Sequence, residues 1–269
     1  MLHYTPFQRA RYRLSRVAFL KRCYDLVRLV TAPSYFEDGL WTSHNFDFVR
    51  DESFVRAYLA GKQQEQGFEI RWRMSVVLWA ARHAALSHGD FVECGVNRGF
   101  FAAAIMTYLN FGNMLDRRYW LFDTFSGLVP ELVGAGERGA YLNVYEDCFQ
   151  FVSSSFGDKP YVRIVRGAIP GTLSRFQGGA VSFLSIDMNC SLPEKAALEY
   201  FWPKMVDGGV VVLDDYGFAG HEAQKAVVDE FVAERSVPLL RLPTGQAVII
   251  KPLSIADRQS TAARNGGAG

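Results

Sequence analysis

Residues 183–216 constrain this chain more than any other stretch. Two apolar runs, 183–186 and 210–213, each end in carboxylate: Asp187 closes the first, and Asp214 with Asp215 closes the second. Residues 193–206 between them read as a helix, with Pro193 at its opening, Leu198, Phe201, Trp202 and Met205 on one face, and Gly208-Gly209 as its stop. Strand, helix and strand at this length make a βαβ unit, whose strands are parallel neighbours joined by a right-handed crossover. Both acidic ends then share the carboxyl edge of the sheet, where open α/β sheets bind ligands. Three converging acids repel one another unless something positive lies between them, and a divalent cation with oxygen ligands suits them. For one acid alone, a loop cap or a solvated strand end explains as much; for three at matched strand ends it explains less.

With 269 residues, 49% of them hydrophobic, the chain can bury one sizeable core. A net charge of +1 gives no global attraction to nucleic acid. The longest apolar runs are too short to span a bilayer, and arginines interrupt every candidate signal-peptide core between Arg9 and Arg28. Cys23, Cys94, Cys148 and Cys190 are scattered without a C-x-x-C pair, which fits reduced thiols in a cytoplasmic protein better than disulfides or a zinc site.

Residues 1–65 read as an N-terminal helical arm. Arg9, Arg11, Arg13, Arg16, Lys21, Arg22 and Arg28, interleaved with apolar residues, suggest a basic amphipathic helix. It would pack on the domain or on a second subunit of a homo-oligomer, or make a peripheral membrane contact. A loop over 33–45 and a short helix over 46–59 follow; such segments can serve as a lid. A helix over 68–86 then leads into a short buried strand at 91–94, a turn bounded by Gly95 and Gly99, and a helix over 100–109. Glycine lets backbone approach a ligand, and a helix start offers unpaired N–H groups. The spacing G-x-x-x-G matches neither the dinucleotide fingerprint nor a P-loop, so a zwitterionic amino-acid tail suits this turn better than phosphate. A second strand, 119–122, ends in Asp123 with Thr124 beside it, and an acid there is the usual partner of a ribose diol. Together these features point to a nucleoside cofactor.

Downstream, 129–139 is a long connection, 141–156 reads as a helix, and 161–165 as a third strand. Gly167 follows that strand at the cofactor edge, where backbone can meet an adenine. A short helical turn is expected at 172–176. His221, at the start of a helix over 222–234, is either a base for an acceptor hydroxyl or a surface or capping histidine. Strands at 237–242 and 246–251, joined by Pro243-Thr244-Gly245, make a closing antiparallel hairpin. Residues 253–269 read as a disordered tail.

The segments FVECGVNRG, LFDTFSGL, VRGAIPGTL, SIDMN, GGVVVLDDYG and PTGQAVIIK, spread over residues 70–251, resemble the macrocin O-methyltransferase family. The resemblance implies a class I, Rossmann-like α/β domain over 66–252, mostly parallel, with a C-terminal antiparallel hairpin and helices on both faces. It implies an S-adenosylmethionine-dependent, Mg²⁺-dependent enzyme that methylates a hydroxyl of a sugar or glycosylated small molecule. It also implies that Glu93, Gly95 and Gly99 line the cofactor's methionine end, that Asp123 holds the ribose, and that Asp187, Asp214 and Asp215 bind the metal. Two positions depart from the family pattern: Asn189 where a second acid is usual, and Ser126 where a glutamate is common. A hydrolase using the acids to activate water, or a noncatalytic nucleoside-binding scaffold, are the rival classes. The first lacks a phosphate-gripping loop, and the second leaves the three acids unexplained.

Overall fold

The computed structural model describes residues 33–134, 137 and 144–253, with isolated positions 22, 23, 26 and 29 nearer the N-terminus. The basic N-terminal helix and the tail after 253 therefore lie outside the described residues, apart from those few positions. In chain order the elements are a hairpin of β1 (Tyr35–Glu37) and β2 (Leu40–Thr42), α1 (Glu52–Gln64), α2 (Arg71–Ala84), β3 (Asp90–Cys94), α3 (Phe100–Leu109) and β4 (Tyr119–Asp123). Then come α4 (Phe149–Phe156), β5 (Val162–Arg166), β6 (Val181–Ile186), α5 (Ser191–Phe201), β7 (Met205–Leu213), α6 (Glu222–Arg235), β8 (Leu240–Arg241) and β9 (Ala247–Ile250).

Strands β3 to β9 form one sheet in the order β5-β4-β3-β6-β7-β9-β8. All neighbours are parallel up to β7, and β9 runs antiparallel to both β7 and β8. This is the expected class I, Rossmann-like arrangement, and its strand order reverses between β3 and β6. The central strands β3 and β6 are buried throughout because both faces are covered. Phe91, Tyr119, Phe183 and Val212 join one core cluster with α1, α2 and α3, while Val92, Phe122, Leu184 and Val211 join a second with α5 and α6. Phe91 and Phe183, both fully buried, stack at 5.0 Å across β3 and β6. Burial of each such ring stabilises the fold by roughly 2–3 kcal/mol.

Several elements differ from the sequence expectation. Residues 33–45 hold a β-hairpin rather than a loop, turning at Asp38 (φ 52°) and Gly39 (φ 82°), an Asp-Gly pair of the kind that favours two-residue hairpin turns. The helix of 46–59 is instead a 3₁₀ turn, Asp47–Arg50, and then α1, separated by extended Asp51. Helix α1, expected within the N-terminal arm, packs on the sheet domain. Phe54, Ala57 and Tyr58 of α1 are buried in the same core as the sheet, and Gly61 lies so close to α3 that a Cβ would stand 2.9 Å from the Phe100 carbonyl. The crossover helix α5 stops at Phe201, before a 3₁₀ turn containing Pro203, which lacks an N–H to continue the ladder. Gly208 and Gly209 consequently lie inside β7, bonded to Lys251, and do not stop the helix. Helix α4 begins only at Phe149, whose N–H is taken by Asp147, and the expected strand at 237–242 shrinks to Leu240–Arg241 after Pro238.

Candidate active site

The carboxyl ends of β3 and β6 are fastened together where the strand order reverses. The Asp187 N–H donates to the Cys94 carbonyl at 2.9 Å, and Gly95 (φ 91°) packs so tightly against the next turn that a Cβ would lie 1.8 Å from the Asp187 carbonyl oxygen. Only glycine fits there. Gly99 (φ 88°) precedes α3, with the Phe156 ring where its Cβ would be.

Four of the five backbone N–H groups from Gly95 to Gly99 are used within the protein. Val96 and Asn97 donate to Asp123 Oδ2 at 2.6 and 2.7 Å, Gly95 donates to the Phe122 carbonyl, and Gly99 to the Val96 carbonyl. Asp123 Oδ1 accepts from the Phe125 N–H at 2.6 Å. The Thr124 hydroxyl lies 3.2 Å from the same oxygen, but its single proton is better used at 2.6 Å on the Gly127 carbonyl. Asp123 is thus the internal anion of the turn, with one acceptor position left on Oδ1.

One cavity opens over this corner. Of the residues singled out from the sequence, Gly95, Asp123, Thr124, Gly167 and Asp187 border it; Glu93, Gly99, Asp214, Asp215 and His221 do not. Its walls include Phe68, Phe101, Phe122 and Phe125. Glu93, expected to line the cofactor's methionine end, points instead into the core, where its carboxylate accepts from the Tyr119 hydroxyl at 2.8 Å. Burial pushes its pKa up to about 8.

The acids meet as the βαβ geometry requires. Ile186 and Leu213 pair in parallel register, the Asp214 N–H donates to the Ile186 carbonyl, and one oxygen each from Asp187, Asp214 and Asp215 lies within 4.8 Å of the others. Burial, then the charges of Asp215 and Asp214, pushes Asp187 well above the usual carboxylate range. Asp215 is raised too, chiefly by burial, with His221 pulling the other way. Asp215 Oδ2 is buried without a hydrogen-bond partner among the described residues. An all-oxygen donor set with an orphaned carboxylate oxygen fits a hard divalent cation.

His221 is neither a surface residue nor at the cavity wall. It is 2% exposed, its Nδ1 lies 2.7 Å from Gln224 Nε2 and 3.6 Å from Asp215 Oδ2. The Nδ1 side of the ring is thus turned to Gln224 and Asp215, and the ring does not border the cavity.

Residues the sequence did not flag complete the site. Arg73, on α2, reaches Asp214 Oδ2 at 2.5 Å and Asp38 Oδ2, at the hairpin tip, at 2.6 Å. Gln246, in the closing hairpin, donates to Asp214 Oδ1 at 2.8 Å. Burial raises the Asp38 pKa to about 6, against the pull of Arg73. Asn189, already singled out as a departure from the family pattern, donates to the Tyr145 hydroxyl at 3.0 Å and approaches Asp187 Oδ1 at 3.4 Å. The Asp38-Gly39 dipeptide signals the hairpin, but nothing local in the sequence links Arg73 to an acid so far away.

Comparison with known proteins supports the family resemblance read from the sequence. A tetracenomycin-C rhamnosyl 4'-O-methyltransferase from Streptomyces olivaceus is 29% identical over 140 residues, 48% of this chain and 53% of the relative. The chain therefore matches about half the length of that relative. Among solved structures, the O-methyltransferase NovP superposes with a TM-score of 0.60 at 25% identity, covering 67% of this chain and 80% of that one. The calicheamicin methyltransferase CalS11, at 17% identity, shares the fold with a TM-score of 0.54 over 77% of this chain and 94% of its own. Residues 75–241, well over half of the chain, match the macrocin O-methyltransferase (TylF) family, and the chain belongs to that family.

Proposed function

We propose that this protein transfers the methyl group of S-adenosylmethionine to a hydroxyl of a sugar within a glycosylated small molecule, with Mg²⁺ held by Asp187, Asp214 and Asp215. One observation carries the reading: a single cavity touches both the Gly95–Asp123 corner and Asp187, so a donor bound at the first lies beside the acids. S-adenosylmethionine supplies an electrophilic methyl on a sulfonium. Mg²⁺ at the three carboxylates would lower the pKa of an acceptor hydroxyl.

The chain's own residues do the rest. Asp123 Oδ1 has one position open to a ribose hydroxyl, the Gly167 backbone borders the adenine end, and the phenylalanine walls exclude water. Asp187 alone among the three acids borders the cavity, which supports it as proton acceptor. As the oxygen–methyl bond forms and the carbon–sulfur bond breaks, the hydroxyl proton passes to Asp187. A rhamnosyl or related deoxyhexosyl glycoside is the first acceptor class to try, from the name of the Streptomyces olivaceus relative.

Calorimetry with S-adenosylmethionine, and methyl-label transfer to a panel of rhamnosyl glycosides with Mg²⁺ or EDTA, test this. The expected result is cofactor binding together with transfer that EDTA abolishes and Mg²⁺ restores. Absence of cofactor binding would overturn the methyltransferase reading, and full activity in EDTA would overturn the metal.

A further inference from the structure

Of the three carboxylates, only Asp214 has both oxygens held from outside the cluster, by Arg73 on one side and Gln246 on the other. Arg73 is in turn fixed. Its Nε pairs with Asp38, and its guanidinium lies 5.2 Å from the centroid of the Phe218 ring. Asp38 sits at the hairpin tip, and the hairpin grips the start of α2 one residue at a time. The Tyr35 hydroxyl accepts the Trp72 N–H at 3.1 Å, and Glu37 accepts the Arg71 N–H while pairing with its side chain. These contacts satisfy N–H groups that a helix start leaves unpaired, since Ile70 provides no side-chain cap. The hairpin thus sets the register of α2, and with it the reach of Arg73 into the acid cluster.

We propose that Arg73, anchored by Asp38, is a positioning residue that presets the Asp214 carboxylate for a divalent cation. This rests on the metal reading given above. The guanidinium engages two carboxylates at once, Asp214 through a hydrogen bond and Asp38 through an ion pair at Nε, which the compact ammonium of a lysine does not reproduce. A carboxylate held through one lone pair of each oxygen still offers another to a cation, and outer-shell partners of this kind typically govern metal affinity by 10- to 100-fold.

The test uses the full chain and titrates Mn²⁺ and Mg²⁺, by calorimetry and by the Mn²⁺ electron paramagnetic resonance signal, into wild type, Arg73→Lys and Asp38→Asn. Circular dichroism and S-adenosylmethionine binding report on the fold. Both variants are expected to bind the cation at least about 10-fold more weakly while still binding S-adenosylmethionine. Asp38→Asn, which touches none of the three acids, keeps the test decisive if Arg73→Lys does not fold. Wild-type cation affinity in the folded variants would overturn the positioning role. So would tighter binding, the result expected if Arg73 were only a resident counter-charge competing with the metal. Failure of wild type to bind either cation would instead overturn the metal reading itself.

Discussion

The two corners of the site handle negative charge in opposite ways. At the glycine corner, a single carboxylate, Asp123, is met at once by three backbone N–H groups from residues close to it in space. At the acid corner, three carboxylates converge, and the side chains that answer them come from remote parts of the chain. Arg73 is 141 residues from Asp214, Gln246 is 32, and Asp215 Oδ2 has no hydrogen-bond partner among the described residues. The first corner is complete as folded. The second has more charge than its neighbours neutralise, and burial raises two of its acids. On the function proposed above, such a site would hold its organic ligand by shape and leave the acid corner to a cation.

Substitutions can separate the corners, and the largest effect belongs where they touch. Gly95→Ala would drive a Cβ into the Asp187 carbonyl at a positive φ, and is expected to cost about 3–4 kcal/mol; an unchanged midpoint in urea denaturation would refute the close approach. Asp187→Asn strikes the acid corner alone. We expect methyl transfer to fall by at least about 100-fold with cofactor affinity retained, so joint loss of both in calorimetry would break the division of labour. Asp123→Ala strikes the glycine corner alone, stranding the Val96 and Asn97 N–H groups. It is expected to destabilise by about 2–3 kcal/mol and to weaken S-adenosylmethionine binding while leaving Mn²⁺ affinity intact, readable from thermal melts and metal titration.

A smaller, graded effect comes from Glu93 beneath the glycine corner. Its pKa is about 8 in the folded protein against an ordinary 4.5, so between those values the native state keeps a proton that the unfolded chain has released. Stability therefore falls as pH rises through that window, by at most roughly 1.4 kcal/mol per pH unit from this group. Glu93→Gln should flatten the fall between pH 5 and pH 8, measured by urea denaturation at each pH. Parallel curves for the two proteins would remove Glu93 from the account.

The same contrast explains what could be read from the sequence. Elements whose signals are local were legible: the buried strands at 91–94 and 183–186, the glycine turn, the acids at the ends of β6 and β7, and the closing hairpin. Short-range punctuation that was present but weighed too lightly accounts for several differences, as with Asp38-Gly39 for the hairpin and Pro203 for the end of α5. Asp123 was recognisable as a strand-end acid, yet its capture of two N–H groups across the turn depends on three-dimensional closure. Arg73 was the least legible. Within α2 it reads as one more polar position, and only the docking of the hairpin and the approach of β7 give it its partners.

The seventh strand of the sheet has a consequence for how the protein is made. Gln246, buried between β8 and β9, is the last of the described residues to join the acid cluster. During synthesis from the N-terminus, the glycine corner and all three acids leave the ribosome before the group that completes the grip on Asp214. The cluster matures only as the final strands zip onto β7, so a nascent chain halted before residue 246 carries the acids without their finished setting.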